Sequence, residues 1–151
     1  MASYPYMVQA AHNVIRAVIG EWHRQPFLWS RERDIQAEIG SRLSTIFSLQ
    51  GLGTVSGDYG PIPTGWKPNQ TWSRVAYEPY VRLVVDGRKS YCHPDIVIWH
   101  DSESTSRKPD YENGVGWPIL WACEIKYGSG DDGTYDERKL GLMVDQGTVD
   151  Y

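Results

Sequence analysis

Apolar residues in the first stretch of the chain recur three and four positions apart: Met7, Ala11, Val14, Ile15, Val18, Ile19 and Trp22. That spacing predicts one packed amphipathic helix over about residues 5–22. Pro26 and Phe27-Leu28-Trp29 break it, and Ser30 then stands as the N-cap of a second helix reaching roughly to residue 48. Ile35, Ile39, Leu43 and Ile46 form the core stripe of this second helix, and Gly51 and Gly53 end it. A strand is predicted over about residues 75–85, turning at Asp86-Gly87. Two further apolar runs read as strands, His93-Pro94-Asp95-Ile96-Val97-Ile98-Trp99 and Ile119-Leu120-Trp121-Ala122-Cys123-Glu124-Ile125-Lys126, and a last helix is predicted over about residues 134–145.

The two apolar runs carry charges where a strand core should have none. Asp95 opens its strand, whereas Glu124 and Lys126 close theirs, so antiparallel pairing brings all three to one end of a sheet. Alternation points Glu124 and Lys126 to one face and Ile125 to the other. Buried charges need compensating partners, and a divalent metal is one such partner. The second helix adds another acid, because Glu32 projects onto its core stripe one turn before Ile35, while Glu38 points away. A helix N-terminus favours an ionised carboxylate there, as would a nearby metal.

Pro94-Asp95 together with Glu124-Ile125-Lys126 resembles the motif of the PD-(D/E)XK, or restriction-endonuclease-like, nuclease superfamily. The resemblance implies an α/β (α+β) fold, with a central mixed sheet flanked by helices, in a single domain spanning residues 1–151. It implies a metal-dependent nuclease that hydrolyses phosphodiester bonds in DNA, with RNA left open. Asp95, Glu124 and the Ile125 carbonyl would hold Mg²⁺ or Mn²⁺, and Lys126 would orient the water or stabilise charge. Ser30-Arg31-Glu32-Arg33-Asp34-Ile35-Gln36 looks like the glutamate-bearing helix that precedes the sheet in many members, which carries the metal role to Glu32, with Glu38 as second candidate. Gln36, His93, Arg138 and Lys139 become candidate nucleic-acid contacts. The family core continues into one more strand, for which only Gly147-Thr148-Val149-Asp150-Tyr151 remain. The expectation is a core truncated after its last helix, a reduced one, or one completed by a second copy as a homodimer.

Composition adjusts this picture in a few places. The 151 residues suit one domain, and 40% apolar with 23% charged residues is an ordinary globular balance. With no bilayer-length apolar run and no secretory leader pattern, a cytoplasmic protein is expected. A formal net charge of −4 argues against gripping nucleic acid through a bulk positive field, but cations bound at carboxylates offset that locally. Cys92 and Cys123 lie beside the two motifs without zinc-finger spacing and read as small buried side chains, and His12, His23 and His100 show no shared metal spacing.

Seven tryptophans and ten tyrosines could offer stacking surfaces, though packing accounts for most of them. Residues 51–72 read as an irregular loop in which Trp66, Lys67, Asn69, Gln70 and Trp72 could touch nucleic acid, and residues 101–116 as a polar excursion between the motif strands. The acids at 131–132 lack the ligand spacing of a calcium loop. Two rival functions remain: a catalytically inactive nucleic-acid-binding or assembly module on the same fold, and a carboxylate-pair glycosidase. The intact Asp95, Glu124 and Lys126 count against the first. Lys126 beside Glu124 opposes the raised pKa that the second requires.

Overall fold

A computed structural model of the chain describes residues 4–56, 71–79, 81–100, 119–126 and 134–145. Two helices open it, α1 (Tyr4–Arg24) and α2 (Glu32–Leu49). Seven strands follow among the described residues: β1 (Thr54–Ser56), β2 (Thr71–Ser73), β3 (Val75–Tyr77), β4 (Val81–Val85), β5 (Arg88–Cys92), β6 (Ile96–Trp99) and β7 (Ile119–Cys123). The last element is α3 (Thr134–Asp145), and the fold is α+β. Every described strand pair is antiparallel: β1 with β2, β4 with β5, and the order β3-β6-β7 in the sheet that carries the motif residues.

α2 starts one residue later than its sequence suggests. Arg31, in extended conformation, takes the N-cap position without a side-chain cap, while the Ser30 hydroxyl donates to Asp34 Oδ2 at 3.1 Å. Its far end closes as expected: Gly51 adopts φ +70°, Leu52 N–H reaches the Phe47 carbonyl at 2.7 Å, and Gly51 N–H reaches that of Ser48 at 3.1 Å. This is the left-handed closure that glycine permits. Gly40, in the middle of α2, serves close packing instead, because a methyl group there would overlap the Tyr77 ring of β3.

The strand expected over residues 75–85 is divided in two. Glu78 sits at φ +46°, and Pro79 after it has no N–H to continue a ladder, so β3 pairs with β6 while β4 leaves to pair with β5. The β4–β5 turn is the expected Asp86-Gly87, both residues at positive φ (50° and 74°), as a tight hairpin requires.

β6 explains why its sequence is apolar without interruption: all four residues are buried because both faces of the sheet are covered. Ile96 and Ile98 face α1 and α2, where they join Val14, Val18, Leu43 and Phe47. Val97 and Trp99 face the other way, into a second core with Val81, Leu83, Cys92 and Met143 of α3. Each fully buried aliphatic or aromatic side chain contributes about 1.5–3 kcal/mol, so the two cores hold the motif sheet from both sides. In β7 the register slips at Leu120, since Ile98 pairs with Trp121 and Trp99 with Ile119.

One buried charge ties these parts together. Arg74 is 2% exposed, and its guanidinium donates to the carbonyls of Leu52 (2.6 Å), Trp99 (3.0 Å) and Thr54 (3.1 Å). It fastens the end of α2, β1 and the end of β6 to one point. Arg74→Met removes these donors from buried acceptors and is expected to cost about 3–5 kcal/mol in urea denaturation. A loss below about 1 kcal/mol would show that the three carbonyls find other partners.

Candidate functional site

The register Ile96↔Cys123 sets Asp95, one residue before β6, beside Glu124 and Ile125, just after β7. Antiparallel pairing thus brings the two motifs to one sheet end, as their positions in the sequence predict. The contact is direct: Ile125 N–H donates to Asp95 Oδ2 at 2.5 Å. Among the described residues Asp95 Oδ1 takes no hydrogen bond. The Asp95 carbonyl is held too, by the Gln36 side-chain amide of α2 at 2.6 Å and by Glu78 N–H at 3.2 Å. Half-buried Asp95 is therefore fixed through both its main chain and its side chain.

Beyond Cys123 the alternation of β7 continues. Cys123 and Ile125 pack toward α1 and α2, and Glu124 meets α3, where Lys139 Nζ lies 3.8 Å from its Oε1. Lys126 follows and is exposed. On the helix side an apolar cavity of about 340 Å³ lies between Ile15, Val18 and Trp22 of α1, Ile35 and Ile39 of α2, and residues 123–126. This hydrocarbon wall lowers the local dielectric beside Glu124 and Lys126 and strengthens charge interactions there.

The other sequence candidates lie further out. Glu32 is the first residue of α2, half-buried, four positions before Gln36 and so on the same helix face. Among the described residues no three His, Cys, Asp or Glu side chains cluster tightly enough to hold a metal, so Glu32, Asp95 and Glu124 are not gathered into one triad. Glu38 accepts from Arg42 Nε at 2.7 Å, and Arg42 also grips Glu21 of α1 through both terminal nitrogens, which makes Glu38 part of a helix–helix tie. His93 is exposed, with Nδ1 3.2 Å from the Glu78 carbonyl. Arg138 reaches Asp86 of the β4–β5 hairpin at 3.6 Å. Trp66, Lys67, Asn69, Gln70, the Trp72 side chain, residues 101–116, the acids at 131–132 and residues 147–151 lie outside the described residues.

Two features of the site leave little trace in the sequence. In the sequence Gln36 reads as a neighbour of Glu32 and a candidate nucleic-acid contact, whereas in the fold it is 7% exposed and its amide serves the Asp95 carbonyl. The pairing of Glu124 with Lys139 depends on how α3 packs, which no local pattern encodes. Both cysteines are free thiols. Burial, then Asp95 and Glu124, push Cys123 up to about 12, and burial with Glu124, against Lys139, pushes Cys92 up to about 11.

No family model matches the chain, and neither a curated protein nor a solved structure matches it.

Gln36→Leu keeps the packing volume but removes a donor from the Asp95 carbonyl, and it is expected to cost about 1–2 kcal/mol in chemical denaturation. No loss of stability would mean that the amide contact holds nothing. The thiols predict a pH effect of defined sign. Each keeps its proton in the folded state above the ordinary value of 9.0, where the unfolded chain releases it, so stability falls as pH rises past about 9 and on toward 11 and 12. Denaturation at pH 8 to 10.5 should show a steeper fall in the native protein than in a Cys92→Ala, Cys123→Ala double variant. Equal slopes would contradict it.

Proposed function

We propose that the chain is a metal-dependent nuclease that hydrolyses phosphodiester bonds in DNA, built on a restriction-endonuclease-like core. The observation that carries this reading is the Ile125 N–H to Asp95 Oδ2 bond of 2.5 Å, which locks the two motif segments side by side. The clamp holds Asp95 beside the segment that carries Glu124 and Lys126.

The donor set fits a hard divalent cation. Asp95 and Glu124 supply carboxylate oxygens and Ile125 a main-chain carbonyl, and Mg²⁺ typically takes one or two carboxylates with waters completing its shell. When bound, such an ion supplies a water of lowered pKa and neutralises charge on the phosphate.

The chain's own groups do the rest. Asp95, held at Oδ2, keeps Oδ1 for the ion, and Gln36 stops its main chain from shifting. Glu124 completes the pair of carboxylates. Glu32, one helical turn before Gln36, stands as an outer carboxylate that acts through water. Lys126 orients the attacking water and stabilises negative charge growing on the phosphate. His93 and Arg138 are assigned to the flanking nucleic-acid backbone.

Incubation with single-stranded, linear duplex, circular and branched DNA should give cleavage with Mg²⁺ or Mn²⁺ and none with EDTA. Asp95→Ala and Lys126→Ala should each lower the rate about a hundredfold or more. Cleavage in EDTA, or full activity in both variants, would sink the mechanism. Metal-dependent binding without cleavage of any substrate, RNA included, would point to the binding module instead.

A further inference from the structure

Glu124 and Lys139 make an enclosed ion pair at the candidate site. The two side chains are 10% and 20% exposed, and Lys139 comes from α3, a separate element packed on the far core. A carboxylate so withdrawn from water keeps its charge only with a countercharge at hand. Neighbouring Arg138, by contrast, serves Asp86 in an open pair exposed by 62% and 82%, so the adjacent cations of α3 attend different acids. The field of both partners is felt nearby, since Cys92 is pushed one way by Glu124 and the other by Lys139.

A divalent ion seated on Asp95 and Glu124 would share Glu124 with the Lys139 ammonium. Two cations on one carboxylate repel each other, and the low-dielectric surroundings enlarge the repulsion. We propose that Lys139 is a positioning residue of the site, a resident countercharge of Glu124, and that a divalent cation binds there in competition with its ammonium. In the metal-free protein the pair anchors α3 to the end of β7. Cation binding takes over part of the neutralisation of Glu124 and weakens its hold on Lys139, whose ammonium stays beside the site for an incoming phosphate. The inference rests on the cation-site part of the proposed function and not on hydrolysis.

The test is Mn²⁺ binding by calorimetry, with thermal melts in EDTA and in Mn²⁺, for the native protein, Lys139→Met, Lys139→Arg and Glu124→Gln/Lys139→Met. Lys139→Met should bind Mn²⁺ roughly fivefold more tightly, the scale of one partly exposed ion pair. Lys139→Arg, which keeps the charge, should stay near the native affinity. Lys139→Met should melt lower than the native protein in EDTA and recover in Mn²⁺, and the double variant should melt above Lys139→Met in EDTA because the enclosed carboxylate that Lys139 helps to neutralise is gone. Unchanged or weaker Mn²⁺ binding by Lys139→Met, or an equal gain in Lys139→Arg, would overturn the competition. Absence of Mn²⁺ binding in every form would overturn it together with the cation site. Tighter binding in a protein that cuts no DNA would keep this inference and remove only the nuclease reading.

Discussion

Asp95 is the point on which the candidate site depends. Its carboxylate accepts the Ile125 N–H at 2.5 Å, and its carbonyl accepts the Gln36 amide at 2.6 Å and Glu78 N–H at 3.2 Å. One residue thereby joins the end of β7, the second helix and the turn after β3. A carboxylate at the head of a buried strand would be costly if left to itself. Here the cost is offset by the bond from Ile125 N–H to Oδ2, and Oδ1 takes no hydrogen bond among the described residues.

The surrounding fold holds that point in place. β6 is buried on both faces, so neither Asp95 nor its neighbours can move without disturbing one of two cores. Arg74 adds a second fastening at the opposite end of the same strand, through the Trp99 carbonyl. The strand is thus held by hydrogen bonds at each end and by close-packed hydrocarbon between them. The apolar cavity between α1, α2 and residues 123–126 lies next to this rigid frame and sets hydrocarbon beside Glu124 and Lys126.

Much of this arrangement was legible in the sequence wherever it rested on periodicity. The two helices, the Asp86-Gly87 turn, α3 and the antiparallel pairing of the motif strands follow from apolar spacing and turn chemistry. Reading failed where backbone geometry or distant packing decided the outcome. Ser30 has the right chemistry for an N-cap, yet its hydroxyl turns to Asp34 and Arg31 takes the cap position. The break between β3 and β4 comes from a left-handed Glu78, which no side-chain pattern announces, although Pro79 hints at it. Gln36 acts on a main-chain carbonyl, and such acceptors are the same at every residue. Lys139 is fifteen positions from Glu124, and their meeting depends on how α3 docks.

The central claim is that Asp95, clamped by Ile125 N–H, forms a cation site with Glu124. The Ile125 amide proton reports on it directly by nuclear magnetic resonance, because a short bond to a carboxylate moves such a proton far downfield. The account predicts a strongly downfield Ile125 amide that shifts on titration with Mg²⁺ and loses both properties in Asp95→Asn. An Ile125 resonance in the ordinary amide range, indifferent to Mg²⁺ and to the substitution, would contradict it.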